Sequence, residues 1–170
     1  MPTTLYIATT LDGYIADPDG CVSFLDGFGA DDHGYDAFFA SVDVLVMGRQ
    51  TYRFVQKHGN WPYGNKPCLV ATRTQLDASI GQPIPVSGNP HEILGVHASK
   101  NVWLVGGGQL VSQFHEADMI DTYRIFVVPV TIGEGIPLFP SAGSSVRKLR
   151  TVAARSLSDG IVELTYARDN

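Results

Sequence analysis

The chain has 170 residues, a formal net charge of −5, 44% hydrophobic residues and 17% charged ones. That balance belongs to a folded globular chain with a real core and excludes a disordered one. The net negative charge argues against broad electrostatic binding to nucleic acid or to an anionic membrane, and the length fits one domain, residues 1–170.

The opening, "MPTTLYIATT", has neither a basic flank nor a long apolar stretch, so it predicts a first strand rather than a signal peptide, in a cytoplasmic protein. No run approaches the ~20 apolar residues of a membrane span. "TLDGYIADPDG" then reads as a loop rich in turn residues. "DDHGYDAFFASV" predicts a helix whose acidic residues suit its amino end. The strand "VDVLVMG" leads into the helix "RQTYRFVQKHG", which stops on a glycine. The strand "KPCLVAT", the helical "PHEILGVHAS", the strand "NVWLVGG" and the helical "QLVSQFHEA" follow. "YRIFVVPV" predicts another strand, and "PVTIGEGIPLFPSAG" a loop rich in glycine and proline. "KLRTVAARSLSDGIVELTYARD" is two alternating runs around Ser158-Asp159-Gly160, the pattern of a β-hairpin.

The inner runs are short, continuous and β-branched, as strands buried on both faces are. Their alternation with helices predicts an α/β protein: a mixed, mostly parallel central sheet with an antiparallel hairpin at the C-terminus. Ligands of such sheets gather at strand ends.

Three strand ends here share one chemistry. "LVGGGQL" places Gly106, Gly107 and Gly108 where a strand hands over to a helix. Glycine is entropically costly there. It gives either a tight packing turn or a backbone that a phosphate can approach at a helix amino end. "VLVMGRQTY" repeats the layout with Gly48, Arg49, Gln50 and Thr51, and the arginine adds a fork of donors that matches phosphate. "LVATR" leaves Thr72 and Arg73 at the exit of a third strand. A ligand with several phosphates could use all three, although neither the dinucleotide G-x-G-x-x-G nor the P-loop pattern is present. Cys21 and Cys68 have no metal spacing and form no disulfide framework. The five histidines (His33, His58, His91, His97, His115) have no metal spacing either and are expected mostly at the surface.

With these motifs in order, the sequence resembles the dihydrofolate reductase-like family. It is closest there to the C-terminal reductase domain of bifunctional riboflavin deaminase-reductases and their stand-alone relatives. "TTLDGYIAD", "VLVMGRQTY", "LVATR", "VWLVGGGQL" and "VVPVTIGEGIPLF" carry the resemblance over nearly the whole chain. It implies a three-layer fold with helices on both faces of the sheet, and an enzyme using NADPH as cofactor. Gly48, Arg49, Gln50 and Thr51 would hold the NADPH phosphates, and Thr72 with Arg73 the 2′-phosphate. Gly106, Gly107, Gly108, Gln109 and Leu110 would pass under the pyrophosphate. Asp32, with Asp31 and Asp36 near it, falls where folate enzymes place their substrate carboxylate; the other reading is helix capping. Asp12 would face the nicotinamide and hydrogen-bond the substrate, or serve as a turn residue. Tyr14, Phe39 and Trp61 could stack on a heterocycle or fill the core.

The implied activity is an NADPH-dependent reduction of a small heterocyclic or ribityl-type substrate. Two alternatives stand beside it: the 5-amino-6-(5-phosphoribosylamino)uracil reductase of riboflavin biosynthesis, and a nucleotide-binding relative without chemistry. The pathway substrate needs its own phosphate site, for which Lys57, Lys66, Lys100, Arg147, Lys148 and Arg150 are the basic candidates. No deaminase-type zinc motif is present. The family and the terminal hairpin edge also imply a homodimer.

Overall fold

The computed structural model describes residues 2–29, 32–140 and 146–169. Asp31 and the end of the glycine- and proline-rich loop, from residue 141, lie outside the described residues. In chain order the elements are β1 (Thr3–Thr10), β2 (Tyr14–Ala16), α1 (Tyr35–Ser41), β3 (Val44–Gly48), α2 (Arg49–Lys57), β4 (Cys68–Ala71) and β5 (Ile84–Val86). They continue with α3 (Pro90–Leu94), β6 (Val102–Gly106), α4 (Gly108–Glu116), β7 (Thr122–Val128), β8 (Ile136–Pro137), β9 (Leu149–Ser156) and β10 (Val162–Arg168).

Eight strands form one sheet in the order β5-β4-β3-β6-β1-β7-β10-β9. The strands from β5 to β7 are parallel, and β10 runs antiparallel to both β7 and β9. This is the mixed sheet that the alternating pattern predicts. Two short pieces were not legible in the pattern: β5 at the sheet edge, and β2 paired with β8 as a separate ribbon.

Burial explains why the inner strands read as unbroken apolar runs. Val44 and Val46 point into a core shared with Leu5, Leu69, Leu104 and the α4 residues Leu110, Val111 and Phe114. Leu45 and Met47 point the other way, toward Tyr52, Trp103 and the α1 residues Phe38 and Phe39. Both faces of β3 are therefore dry, and a solvent-facing alternation has no place in it. Phe39 and Trp61, candidates for stacking on a heterocycle, pack against this second core instead. Cys68 is buried, and burial pushes its thiol up to about 12, the state of a small inert hydrophobe.

Helix amino ends differ in how they are capped. Asn89 and Glu92 cap α3 reciprocally: Asn89 Oδ1 accepts from the Glu92 amide at 3.1 Å and Glu92 Oε2 accepts from the Asn89 amide at 2.7 Å. Ahead of α1, Asp32 accepts from the Gly34 amide at 2.9 Å and the Asp36 amide at 2.8 Å. Gly48 and Gly107, which precede α2 and α4, carry no side-chain cap. Among the described residues no helix is long and apolar enough to cross a membrane, and no cluster of His, Cys, Asp or Glu could hold a metal ion.

Candidate functional site

Parallel pairing brings the three strand ends level. Gly48 lies opposite Ala71 across β3 and β4, and Met47 opposite Gly106 across β3 and β6. The uncapped amino ends of α2 and α4 therefore stand side by side. A helix leaves its first amides without intrahelical partners, and here neither N-cap residue, Gly48 or Gly107, has a side chain to supply one. The partial positive charges of two nine-residue helices converge on one place.

The three glycines of β6–α4 are required for different reasons. Gly107 has φ 57° and ψ 134°, a conformation that L residues avoid, and a β-carbon there would stand 3.4 Å from Thr51 Oγ1. At Gly108 a β-carbon would meet the Pro137 carbonyl oxygen at 2.4 Å, so this glycine lets the β8 segment close over α4. Gly106 faces Ile7. The first glycine pair thus bends the chain, while the third packs it.

Arg49 opens α2, and its Nε is buried with no hydrogen-bond partner. A buried donor left unpaired costs about 1–3 kcal/mol, and among the described residues nothing pairs with this one. Thr51 is half-buried beside Gly107, while Gln50 and Gln109 are exposed and available. Thr72 is locally occupied: its amide donates to the Val86 carbonyl at 2.8 Å and its hydroxyl to the Thr74 carbonyl at 3.0 Å. Arg73 beside it is exposed and makes no ion pair among the described residues. Leu110 closes this motif. Its side chain is in the core and its amide donates to the Gly107 carbonyl at 2.9 Å. Arg53 is a residue the sequence reading passed over. One turn after Arg49, it shares a cavity of about 40 Å³ with Arg49, Gln75 and Asp77. The four-residue spacing of the two arginines was the available signal.

Among the described residues the two candidate carboxylates, Asp12 and Asp32, share no hydrogen-bond partner. Asp12 reaches from the β1–β2 loop to the loop before β8, accepting from the Gly133 amide at 2.8 Å and the Ile132 amide at 3.1 Å. A hydrogen bond from the Thr10 hydroxyl, then those amides, hold its carboxyl below the usual range. It is an acceptor at neutral pH, not a source of protons. Asp32, an exposed residue, uses one hydrogen bond on each oxygen to fix the turn into α1.

Tyr6, which the sequence did not single out, lies on β1 against the α1 residues Tyr35 and Phe38. Its ring stacks on Phe38 at 4.3 Å and tilts against Phe126 at 4.6 Å. Burial, reinforced by the charges of Glu163 and Asp32 against that of Arg124, pushes its hydroxyl up to about 12. Of the histidines expected at the surface, His33 is an exception. Its side chain is 10% exposed, and Nε2 sits 2.9 Å from Asp159 Oδ2.

The RibD C-terminal domain profile matches residues 92–163. YwjB, an uncharacterized protein of Bacillus subtilis (strain 168), is 36% identical over 98% of this chain and 97% of its own. A crystal structure from Shewanella sp. PV-4, of a protein named for riboflavin biosynthesis, is 31% identical, covers 100% of both chains and superposes with a TM-score of 0.89. The Thermotoga maritima deaminase/5-amino-6-(5-phosphoribosylamino)uracil reductase shares the fold with a TM-score of 0.68 at 17% identity, and this chain spans 56% of it. Dihydrofolate reductase from Enterococcus faecalis, solved with NADP(H), shares it with a TM-score of 0.70 at 19% identity over 99% of this chain and 97% of that one. With its ordered glycine turns, this sheet order and full-length relatives at this identity, the chain belongs to the RibD C-terminal domain family, on the dihydrofolate reductase-like fold.

Proposed function

We propose that the protein is an NADPH-dependent reductase acting on a small heterocyclic substrate. One observation carries the reading: two uncapped, glycine-led helix amino ends lie side by side with the unpartnered Nε of Arg49. Convergent amides, a reachable backbone and an orphaned guanidinium fit a pyrophosphate. The relative solved with NADP(H) supports the same reading by its fold.

In this proposal Gly48, Arg49, Gln50 and Thr51 hold one phosphate and Gly106, Gly107, Gly108 and Gln109 the other. Arg73, with Arg53 across the α2 surface, takes the 2′-phosphate. The bound cofactor supplies the hydride. The chain's own part is to orient and to manage protons. Asp12, held ionised, accepts a substrate N–H or O–H at its carboxylate. Tyr6 keeps its proton on Oη up to about 12 and is the protonated group on the α1 face of β1. Asp32 shapes the approach by fixing the amino end of α1.

The riboflavin-pathway reductase is the second reading, favoured by the full-length Shewanella relative. Against it, the extra basic residues are scattered or engaged: Lys66 Nζ donates to the Val42 carbonyl and Arg147 pairs with Asp118.

The test is a titration of NADPH followed by NADPH consumption against a panel of pterins, pyrimidines and flavin precursors. No saturable NADPH binding would end the proposal. Binding without turnover on any of them would leave a nucleotide-binding protein.

A further inference from the structure

At the opposite end of the sheet from the glycine turns lies a cavity of about 140 Å³. The amino ends of β1, β6 and β7 form its floor and the carboxyl half of α1 its wall, through Thr4, Phe38, Ser41, Asn101, Thr122 and Arg124 among others. The run of β6 from Val102 to Gly106 separates it from the candidate cofactor site by about 13 Å.

Its chemistry is set by an ion triad. Arg124 gives Nε and Nη2 to Glu163 Oε1, at 2.8 and 2.7 Å. Arg155 gives Nε to Glu163 Oε2 at 2.9 Å, and its Nη2 also donates there. One carboxylate, 2% exposed, thus serves two guanidinium groups, leaving one unit of positive charge in excess. Water can compensate Arg155, which is 57% exposed, far better than Arg124, which is 19% exposed and lies over the Tyr6 and Phe38 rings. The second edge of the Arg124 guanidinium, at Nη1, has no partner among the described residues.

Beside Pro2, Phe38, Val42 and Val102, the lining places two hydroxyls next to Arg124. Thr4 and Thr122 are directly opposite across β1 and β7, as are Tyr6 and Arg124, so all four lie on one face in two adjacent rows. The hydroxyls of Thr4 and Thr122 make no hydrogen bond among the described residues. Among the described residues no carboxylate lines the cavity. Two nearby acidic groups are hydrogen-bonded: Asp43 accepts from the amide of the lining residue Asn101 at 2.9 Å, and Asp121 from the Thr3 amide at 2.8 Å while pairing with Arg168. The volume suits an anion of a few heavy atoms and is well below the ~300 Å³ where larger organic ligands begin.

We propose that this cavity is a second ligand site, which takes a small oxyanion, a carboxylate or a phosphate group, on Arg124 Nη1 and the Thr4 and Thr122 hydroxyls. It is independent of the cofactor reading. Because Arg124 rests on Phe38 of α1, an occupant would also bear on the helix that Asp32 introduces.

The test uses the whole chain, labelled with ¹⁵N, titrated separately with inorganic phosphate and with acetate against chloride at fixed ionic strength. Saturable shifts are expected at the Thr4, Thr122 and Arg124 amides and at the Arg124 side-chain Nε–H. The double substitution Thr4→Val, Thr122→Val leaves the ion triad intact and should weaken binding about tenfold, the loss of two hydrogen bonds. Arg124→Met should abolish it, but that variant can also fail to fold, so the threonine pair decides. Arg49→Met, which disarms the other phosphate-competent place, should leave these shifts unchanged. Shifts confined to Gly48, Arg49, Gly107 and Gly108, or undiminished in the threonine double variant, would overturn the proposal. If phosphate alone or acetate alone binds there, the class narrows to that anion. If neither binds, the proposal falls.

Discussion

A methyl group on Gly48 would lie 3.7 Å from the Gly106 carbonyl oxygen, an ordinary contact, and Gly48 has φ −75° and ψ 159°, a conformation open to any residue. Gly48→Ala should therefore fold as well as the parent, with unfolding free energy within about 0.5 kcal/mol. Its methyl would stand between the two helix amino ends, where the phosphates are proposed to lie. NADPH affinity should fall at least tenfold. Denaturant unfolding and cofactor titration on the same sample check both halves, and unchanged affinity would remove Gly48 from the site.

Gly107→Ala makes the complementary case. At φ 57° and ψ 134° an alanine is strained whatever the space, so this variant should lose about 1–3 kcal/mol of stability as well as affinity. A stability loss with intact affinity in the folded fraction would reduce the turn to packing. The contrast with Gly48 separates binding from backbone strain, which neither variant does alone.

Glu163→Gln should be the most damaging of these changes to the fold. It leaves Arg124 largely buried and without its counter-charge, a loss of about 3 kcal/mol at neutral pH, taken at the low end because Arg155 is half exposed. Burial alone would raise the Glu163 carboxyl, but the hydrogen bonds and charges of Arg155 and Arg124 outweigh it and lower it. A lowered folded value contributes stability that is present above the unfolded value, about 4.3, and is lost as pH falls through the folded one. Asp159 has the same sign, held at about 2 by the Gly29 amide and then by His33. The parent's melting temperature should fall as pH drops below about 4, and Glu163→Gln should flatten part of that fall. Equal slopes in the two proteins would show that the triad does not set acid stability.

Strand β9 is an edge strand with Val152 53% exposed, and an uncovered edge of this length invites pairing. A homodimer through β9 is expected, with a mass in light scattering twice the 18.4 kDa of one chain. Val152→Lys should shift the mass toward the monomer. A monomeric parent at micromolar concentration would reject the dimer.

What the sequence made legible was local. A strand, a glycine and a helix in immediate succession identify the turns at Gly48 and Gly107 because the residues that form them are contiguous. The Arg124–Glu163–Arg155 triad was not legible, since its members lie on β7, β10 and β9 and charged residues in alternating strands read as a solvent face. His33 was missed for the same reason, its partner Asp159 being 126 positions away. The burial of Leu110 was legible, since with Val111 and Phe114 it follows the helical spacing of a buried face. The β2–β8 ribbon, with only two paired positions, has no sequence period to detect.

Arg49 decides between a cofactor site and a structural turn. An arginine that stabilises a fold does so through its partners, and its removal lowers stability. Arg49 Nε is buried and has no partner among the described residues, so Arg49→Ala removes an unsatisfied donor and should leave apo stability unchanged or slightly raised. If the missing partner is a cofactor phosphate, the same variant loses a charge-assisted contact of about 1.5–3 kcal/mol, roughly 10- to 100-fold in NADPH affinity. Arg73→Ala should act more narrowly. Exposed at the end of β4, it should lower NADPH affinity toward that of NADH and leave NADH binding alone, because only NADPH carries the 2′-phosphate. The parent should bind NADPH at least tenfold more tightly than NADH. Titration of both cofactors against the three proteins, alongside apo melting curves, gives the pattern. Equal affinity of the parent for the two cofactors would withdraw the 2′-phosphate assignment, and a destabilised Arg49→Ala with undiminished NADPH binding would return Arg49 to the fold.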